Sequence, residues 1–99
     1  MKIKILGSAF QDLADGRDFY ERQDEGLGNY FLDSHFSDID SLALYAGIHR
    51  RIFGFHRLLS KRFPFGIYYQ FNGANVIVYR VLDLRRNPRK IRAALKSVA

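Results

Sequence analysis

At residue 52 the spacing of apolar side chains changes from a repeat of 3.6 to a repeat of 2, and it holds there almost to the C-terminal stretch. A chain with helical spacing in its first half and strand spacing in its second is of the α+β class. Before the switch, "KIKIL" alternates charged and apolar residues, which predicts a short edge strand with Ile3 and Ile5 facing a core. Ser8 and Gln11 have capping-box spacing and open a first helix, on which Phe10, Leu13 and Tyr20 form the apolar stripe. Gly16 lies inside that helix, and close packing against a neighbouring element is its best explanation. "EGLGN" at residues 25–29 reads as a turn between two antiparallel helices, since a phosphate loop would need a strand before it. Asn29 or a neighbour then caps a second helix with a stripe of Phe31, Leu32, Phe36, Ile39, Leu42 and Ala43, stopped at Gly47.

Beyond the switch three antiparallel strands are expected. "IFGFHRLLS" places Phe53, Phe55, Arg57 and Leu59 on one face, and "FPFGIYYQF" does the same for Phe65, Ile67, Tyr69 and Phe71. "NVIVYRVLDL" is apolar on both faces and marks a central strand, joined to its predecessor through the Asn72-Gly73 turn. Asn87-Pro88 is an N-cap and first-turn pair for a short final helix, with Ile91, Ala94 or Leu95, and Val98 inward.

The 99 residues suffice for one domain, 1–99, with one core, and 47% hydrophobic content makes it globular. Without cysteine there is neither a disulfide framework nor thiolate chemistry. No apolar run is long enough to span a bilayer and the N-terminus is no signal peptide, so a cytoplasmic protein with no membrane partner is expected. Charge is divided unevenly. Residues 1–47 carry four basic side chains against nine acids and residues 48–99 twelve against Asp83 alone, so −5 and +11 make the net +6. Such a field favours an anionic partner.

No nucleophile is placed beside an activating histidine. Of His35, His49 and His56, the latter two can lie close together, but no third ligand has metal spacing, so neither metal nor cofactor is expected. The constellation above background is basic. Arg57, Lys61 and Arg62 flank one hairpin, and "RVLDLRRNPRKIR" brings Arg80, Arg85, Arg86, Arg89, Lys90 and Arg92 together, with Lys96 beyond. Arginine in such numbers suits bidentate contacts to carboxylate or phosphate, and Tyr68 and Tyr69 are candidates to add stacking. The alternative is a solvated rim over the core.

"DLADGRDFYERQDEGLGNYF", "RLLSKRFPFGIYYQF" and "VYRVLDLRRNP", in this order of elements, resemble the RelE/ParE toxins of bacterial toxin–antitoxin modules over residues 3–92. The ParE-like (plasmid stabilisation) branch is the nearer. The resemblance implies a two-layer fold and a toxin held in a heteromeric complex by an antitoxin that wraps its helices and sheet. RelE-like members cleave mRNA on the ribosome; ParE-like members are thought to poison DNA gyrase. Arg86 falls where the ribonuclease branch has an arginine after the last strand, and Arg57 at one of its lysine positions. Gly66, Leu59 and Arg92 stand in place of its other arginine, its other lysine and its late tyrosine. These departures favour the gyrase inhibitor, non-enzymatic, with Arg85, Arg86, Arg89, Lys90 and Arg92 on the target and the antitoxin site unassigned. An mRNA endoribonuclease using Arg57, Lys61, Arg62 and Arg86 is the alternative, and an inactive toxin-fold regulatory binder the further one. Asp83 stands where many ParE-like chains have histidine.

Overall fold

A computed structural model describes residues 1–97. The elements in chain order are β1 (Lys2–Ile5), α1 (Gly7–Gln23), α2 (Leu27–Asp40), α3 (Leu42–Tyr45), β2 (Arg51–Ile52), β3 (Phe55–Leu59), β4 (Phe65–Phe71), β5 (Asn75–Asp83) and α4 (Pro88–Lys96). The sheet runs β1-β5-β4-β3-β2, with β1 at one edge and parallel to β5, and every other pair antiparallel. The α+β order read from the sequence holds, with β5 central as its two apolar faces require.

The helical layer rests on one face of the sheet. Ala9, Leu13, Phe31, Ile39 and Leu42 pack there against Phe65, Ile67, Tyr69, Val76, Val78 and Val81. The other face is covered at one end by α4, whose Ile91 and Leu95 meet Phe55, Tyr68 and Leu82. α4 therefore adds a partial third layer to the expected two. Valines 76, 78 and 81 share a face because the ladder slips: Tyr68 pairs with Arg80 but Tyr69 with Val78, leaving Tyr79 as the extra residue of a β-bulge that resets the alternation. A bulge frees backbone groups, and α1 takes them up. Ser8 Oγ donates to the Tyr79 carbonyl at 2.7 Å, and an Asp12 carboxylate oxygen accepts from the Val81 N–H at 2.9 Å.

Several local expectations are revised. Ser8, spent on the bulge, does not cap α1, which starts two residues earlier, after Leu6, without a side-chain cap. Asn29 lies inside α2; the free N–H groups of Gly26 and Gly28 go instead to the Glu21 carboxylate, at 3.0 and 2.8 Å, which holds that carboxyl below its usual pKa. Phe10 and Ala43 face solvent rather than the core. The second helix breaks at Ser41, so the stop at Gly47, with φ 92°, terminates the short α3. Val98 lies outside the described residues.

The stretch from residue 52 is not one strand. Phe53 and Gly54, with φ of 54° and 85°, form a tight turn between β2 and β3, giving five strands in all. Left-handed backbone costs a side chain like that of Phe53 about 1–2 kcal/mol.

His35 is fully buried among Phe31, Phe63 and Phe65. Its Nδ1 lies 2.8 Å from the Phe31 carbonyl, which can only accept, so Nδ1 carries the proton and Nε2 is left bare and unpartnered. Burial therefore lowers its pKa from 6.5, against smaller opposing effects of that carbonyl and Asp38. The unfolded chain takes up the proton first, so stability is full above about pH 6.5 and falls as pH drops toward the lowered folded value. The denaturant midpoint is expected to decline between about pH 7 and pH 5, and His35→Leu to flatten that decline. An equally steep decline in the variant would remove His35 as the cause, leaving His49, which burial and His56 also lower.

Candidate functional site

The end of β5, the turn that follows and α4 form one cationic surface. Asp83 organises the turn. Its carboxylate accepts from the Arg85 backbone N–H, Nε and Nη2 at 2.9, 3.0 and 2.7 Å, and its carbonyl accepts from the Arg86 N–H. The guanidinium holds the Asp83 carboxyl below its usual pKa and is itself held more firmly protonated. Asn87 Oδ1 accepts from the Arg89 N–H at 2.9 Å and Pro88 opens the helix, as the cap pair predicts. With Ile91 and Leu95 buried, Arg89, Lys90, Arg92 and Lys96 are all displayed to solvent.

Two arginines of the cluster are already engaged. Arg80 makes a bidentate pair with Asp12, Nε to Oδ2 at 2.7 Å and Nη2 to Oδ1 at 2.8 Å, and donates to the Ala94 carbonyl at 3.3 Å. That carboxylate raises the Arg80 pKa further. Arg85 is tied to Asp83. Arg86 has no ion pair among the described residues, but it opens onto a cleft of about 200 Å³ lined also by Asp12, Asp15, Phe19 and Asp83.

The four ribonuclease candidates have different neighbours. Arg57 stands on the α4 face of the sheet, its stem lying across Gly66; a Cβ on that glycine would sit 3.1 Å from Arg57 Cγ and Cδ and from Leu84 Cδ2. Arg62 turns to α2, donating to the Tyr30 hydroxyl at 2.9 Å with its guanidinium 5.7 Å from the ring centre. Lys61 is exposed, its N–H 3.4 Å from Asp38 Oδ2. Arg86 belongs to the carboxylate-lined cleft beside α1.

Tyr68 and Tyr69 offer no stacking surface, because both are buried. The Tyr69 hydroxyl accepts from the Gly47 N–H at 2.9 Å and bonds to His49 Nδ1, while His56 stacks on its ring. His49 and His56 are thus neighbours, as expected, and among the described residues no three His, Cys, Asp or Glu are placed to hold a metal. Nor is any helix among them long and apolar enough to cross a membrane.

No protein-family model matches the chain, and no curated protein does either. A solved structure does. A chain described as "Chromosomal ParDE TA system from P. aeruginosa" superposes with a TM-score of 0.71, over 85% of this chain and 96% of that one, at 21% identity. The chain has the ParE-like fold. Within that ParE-like frame the sequence placed the cationic turn and helix at the right positions. It did not reveal the Asp12–Arg80 pair, whose partners lie 68 residues apart. It also missed Phe53, for which the only signal was a glycine two residues into an apolar run.

Proposed function

We propose that this ParE-like chain is the toxin of a type II toxin–antitoxin pair, that it inhibits DNA gyrase through Arg85, Arg86, Arg89, Lys90 and Arg92, and that a cognate antitoxin neutralises it in a heteromeric complex in the cytoplasm. The pairing with an antitoxin follows the description of the solved neighbour as a ParDE TA system. One observation carries the choice of surface. Arg85, Arg86, Arg89 and Lys90 crowd the N-terminal end of α4, which has no acid in its first turn. The helix dipole disfavours cations there, by about 0.3–1 kcal/mol each. A surface kept only for solubility or stability would carry acids at that end and bases at the other. Cations concentrated at the positive end of a helix dipole suit an anionic target.

Arg62 is turned to the Tyr30 hydroxyl and Arg86 lines the carboxylate-bearing cleft beside α1, which speaks against the endoribonuclease, since that activity needs its cations around one scissile phosphate. The test is to induce the protein alone in a bacterial host and pulse-label DNA and protein synthesis. DNA synthesis is expected to collapse first, and purified protein to inhibit ATP-dependent supercoiling by gyrase. The variant Arg89→Glu/Lys90→Glu is expected to lose growth inhibition while melting no lower than the parent, because acids suit that helix end. Loss of translation before replication would overturn the gyrase reading in favour of the ribonuclease. A folded protein harmless in both assays would leave the inactive binder.

A further inference from the structure

The hairpin of β2 and β3 is built on an unfavourable residue. Both turn positions are left-handed, and the tight turn with that backbone is the one that Asn-Gly or Gly-Gly fills without strain. Phe53 occupies the first of them. Burial does not compensate, for the side chain is 45% exposed, at the tip of an edge hairpin. It forms one wall of a groove of about 240 Å³, with Phe55 and Leu95 as apolar lining and Arg92 and Lys96 as the cationic side. The Arg92 guanidinium stands 5.8 Å from the Phe53 ring centre. Arg51, at the foot of the same turn, reaches across it to donate to the Gly54 carbonyl at 3.0 Å. Among the described residues no carboxylate lines this groove.

We propose that the groove between the Phe53-Gly54 turn and α4 is a docking site for an acidic peptide segment of a partner protein, which inserts one apolar side chain between Phe53 and Leu95. The volume accommodates a large side chain, and Phe53, Phe55 and Leu95 give it an aromatic and aliphatic lining. Arg92 and Lys96 line it with positive charge and the exposed Arg51 lies at the foot of the same turn, so carboxylates flanking the anchor are paired as it enters. Nucleic acid is the poorer fit. Its affinity comes from a row of phosphate contacts, and two cations beside an apolar slot do not make one. The proposal goes beyond inhibition of gyrase and stands whether or not gyrase is the target.

The strain supplies an unusual test. If Phe53 serves binding, replacing it should injure binding and spare the fold. Phe53→Gly relieves the left-handed backbone and is expected to melt no lower than the parent; Phe53→Asn serves as a second variant of the same kind. The probe is a fluorescein-labelled dodecapeptide of Asp and Glu with one central Leu, read by anisotropy against the full-length protein at about 0.15 M salt. Saturable binding is expected, weakened at least about tenfold by Phe53→Gly and by Arg92→Glu. Lys2→Glu/Lys4→Glu, on the opposite edge strand, should leave it unchanged. The proposal is overturned if the peptide does not bind, if exchanging Leu for Ser changes nothing, or if both Phe53 variants keep full affinity. It is also overturned if a single-stranded DNA dodecamer binds more tightly than the peptide, or if sedimentation shows a second copy of the chain occupying the groove.

Discussion

Replacing Asp12 by alanine is expected to remove about 3 kcal/mol of folding stability, a drop in melting temperature of roughly 12–20 °C for a domain of this size. Three groups lose their partner at once: Arg80 Nε, Arg80 Nη2 and the Val81 N–H. The side chains of the pair are only 18% and 10% exposed, so water replaces the carboxylate poorly. What remains is a cation held under α4 with the Ala94 carbonyl as its one acceptor. Arg80→Met should also destabilise, by a similar amount. The double variant should lose less than the sum, by about 1–3 kcal/mol, because neither charge is then stranded. Denaturant titration of the four proteins closes the cycle. Strict additivity would mean that the pair is ornamental and that α1 is held to β5 by apolar packing alone.

Gly16→Val should be nearly as damaging, at about 3 kcal/mol, although valine is the better helix former of the two. A Cβ at residue 16 runs into the ring of Phe31, with Cζ and Cε1 closest. That ring is fully buried and hemmed in by Tyr20, Phe63, Phe65 and His35, so it cannot swing away. Even Gly16→Ala should destabilise, against its intrinsic gain in helix propensity of about 1 kcal/mol. Pairing it with Phe31→Leu, which shortens the opposing side chain, should recover part of the loss. If Gly16→Ala instead stabilised the protein, α1 and α2 would lie further apart than described. The sequence had already marked Gly16 as a packing glycine, and its partner proves to be the aromatic centre of the core.

What was legible came from local chemistry. The change of period, the Asn72-Gly73 turn and the Asn87-Pro88 cap are set by residues next to one another, and each lies where the sequence put it. Errors arose where a distant element claimed a residue first. Ser8 has the spacing of a cap, but the β-bulge at Tyr79 offers it an unpaired carbonyl, and the helix starts without it. Phe53 has no turn chemistry, so the β2–β3 hairpin read as a continuous strand. The candidate site divides in the same way. Arg89, Lys90 and Arg92 follow from the helical spacing of α4 alone, whereas nothing near Arg80 told that it is committed to the Asp12 carboxylate.

The parallel seam between β1 and β5 bears on how the protein is made. Lys2 pairs with Asn75 and Ile5 with Val78, and the acceptor for Ser8 lies 71 residues further along the chain. A growing polypeptide that has reached only β4 holds Ile3 and Ile5 with no strand to lie beside, and Ala9 and Leu13 with no valines beneath them. Helices α1 and α2 can form early, but their layer cannot close until the ribosome has made residue 83. α4 follows directly and rests on that strand through Leu82. The most highly charged surface of the molecule is thus synthesised after the strand whose pairing completes the sheet, and translation that stops before that strand yields a chain with neither.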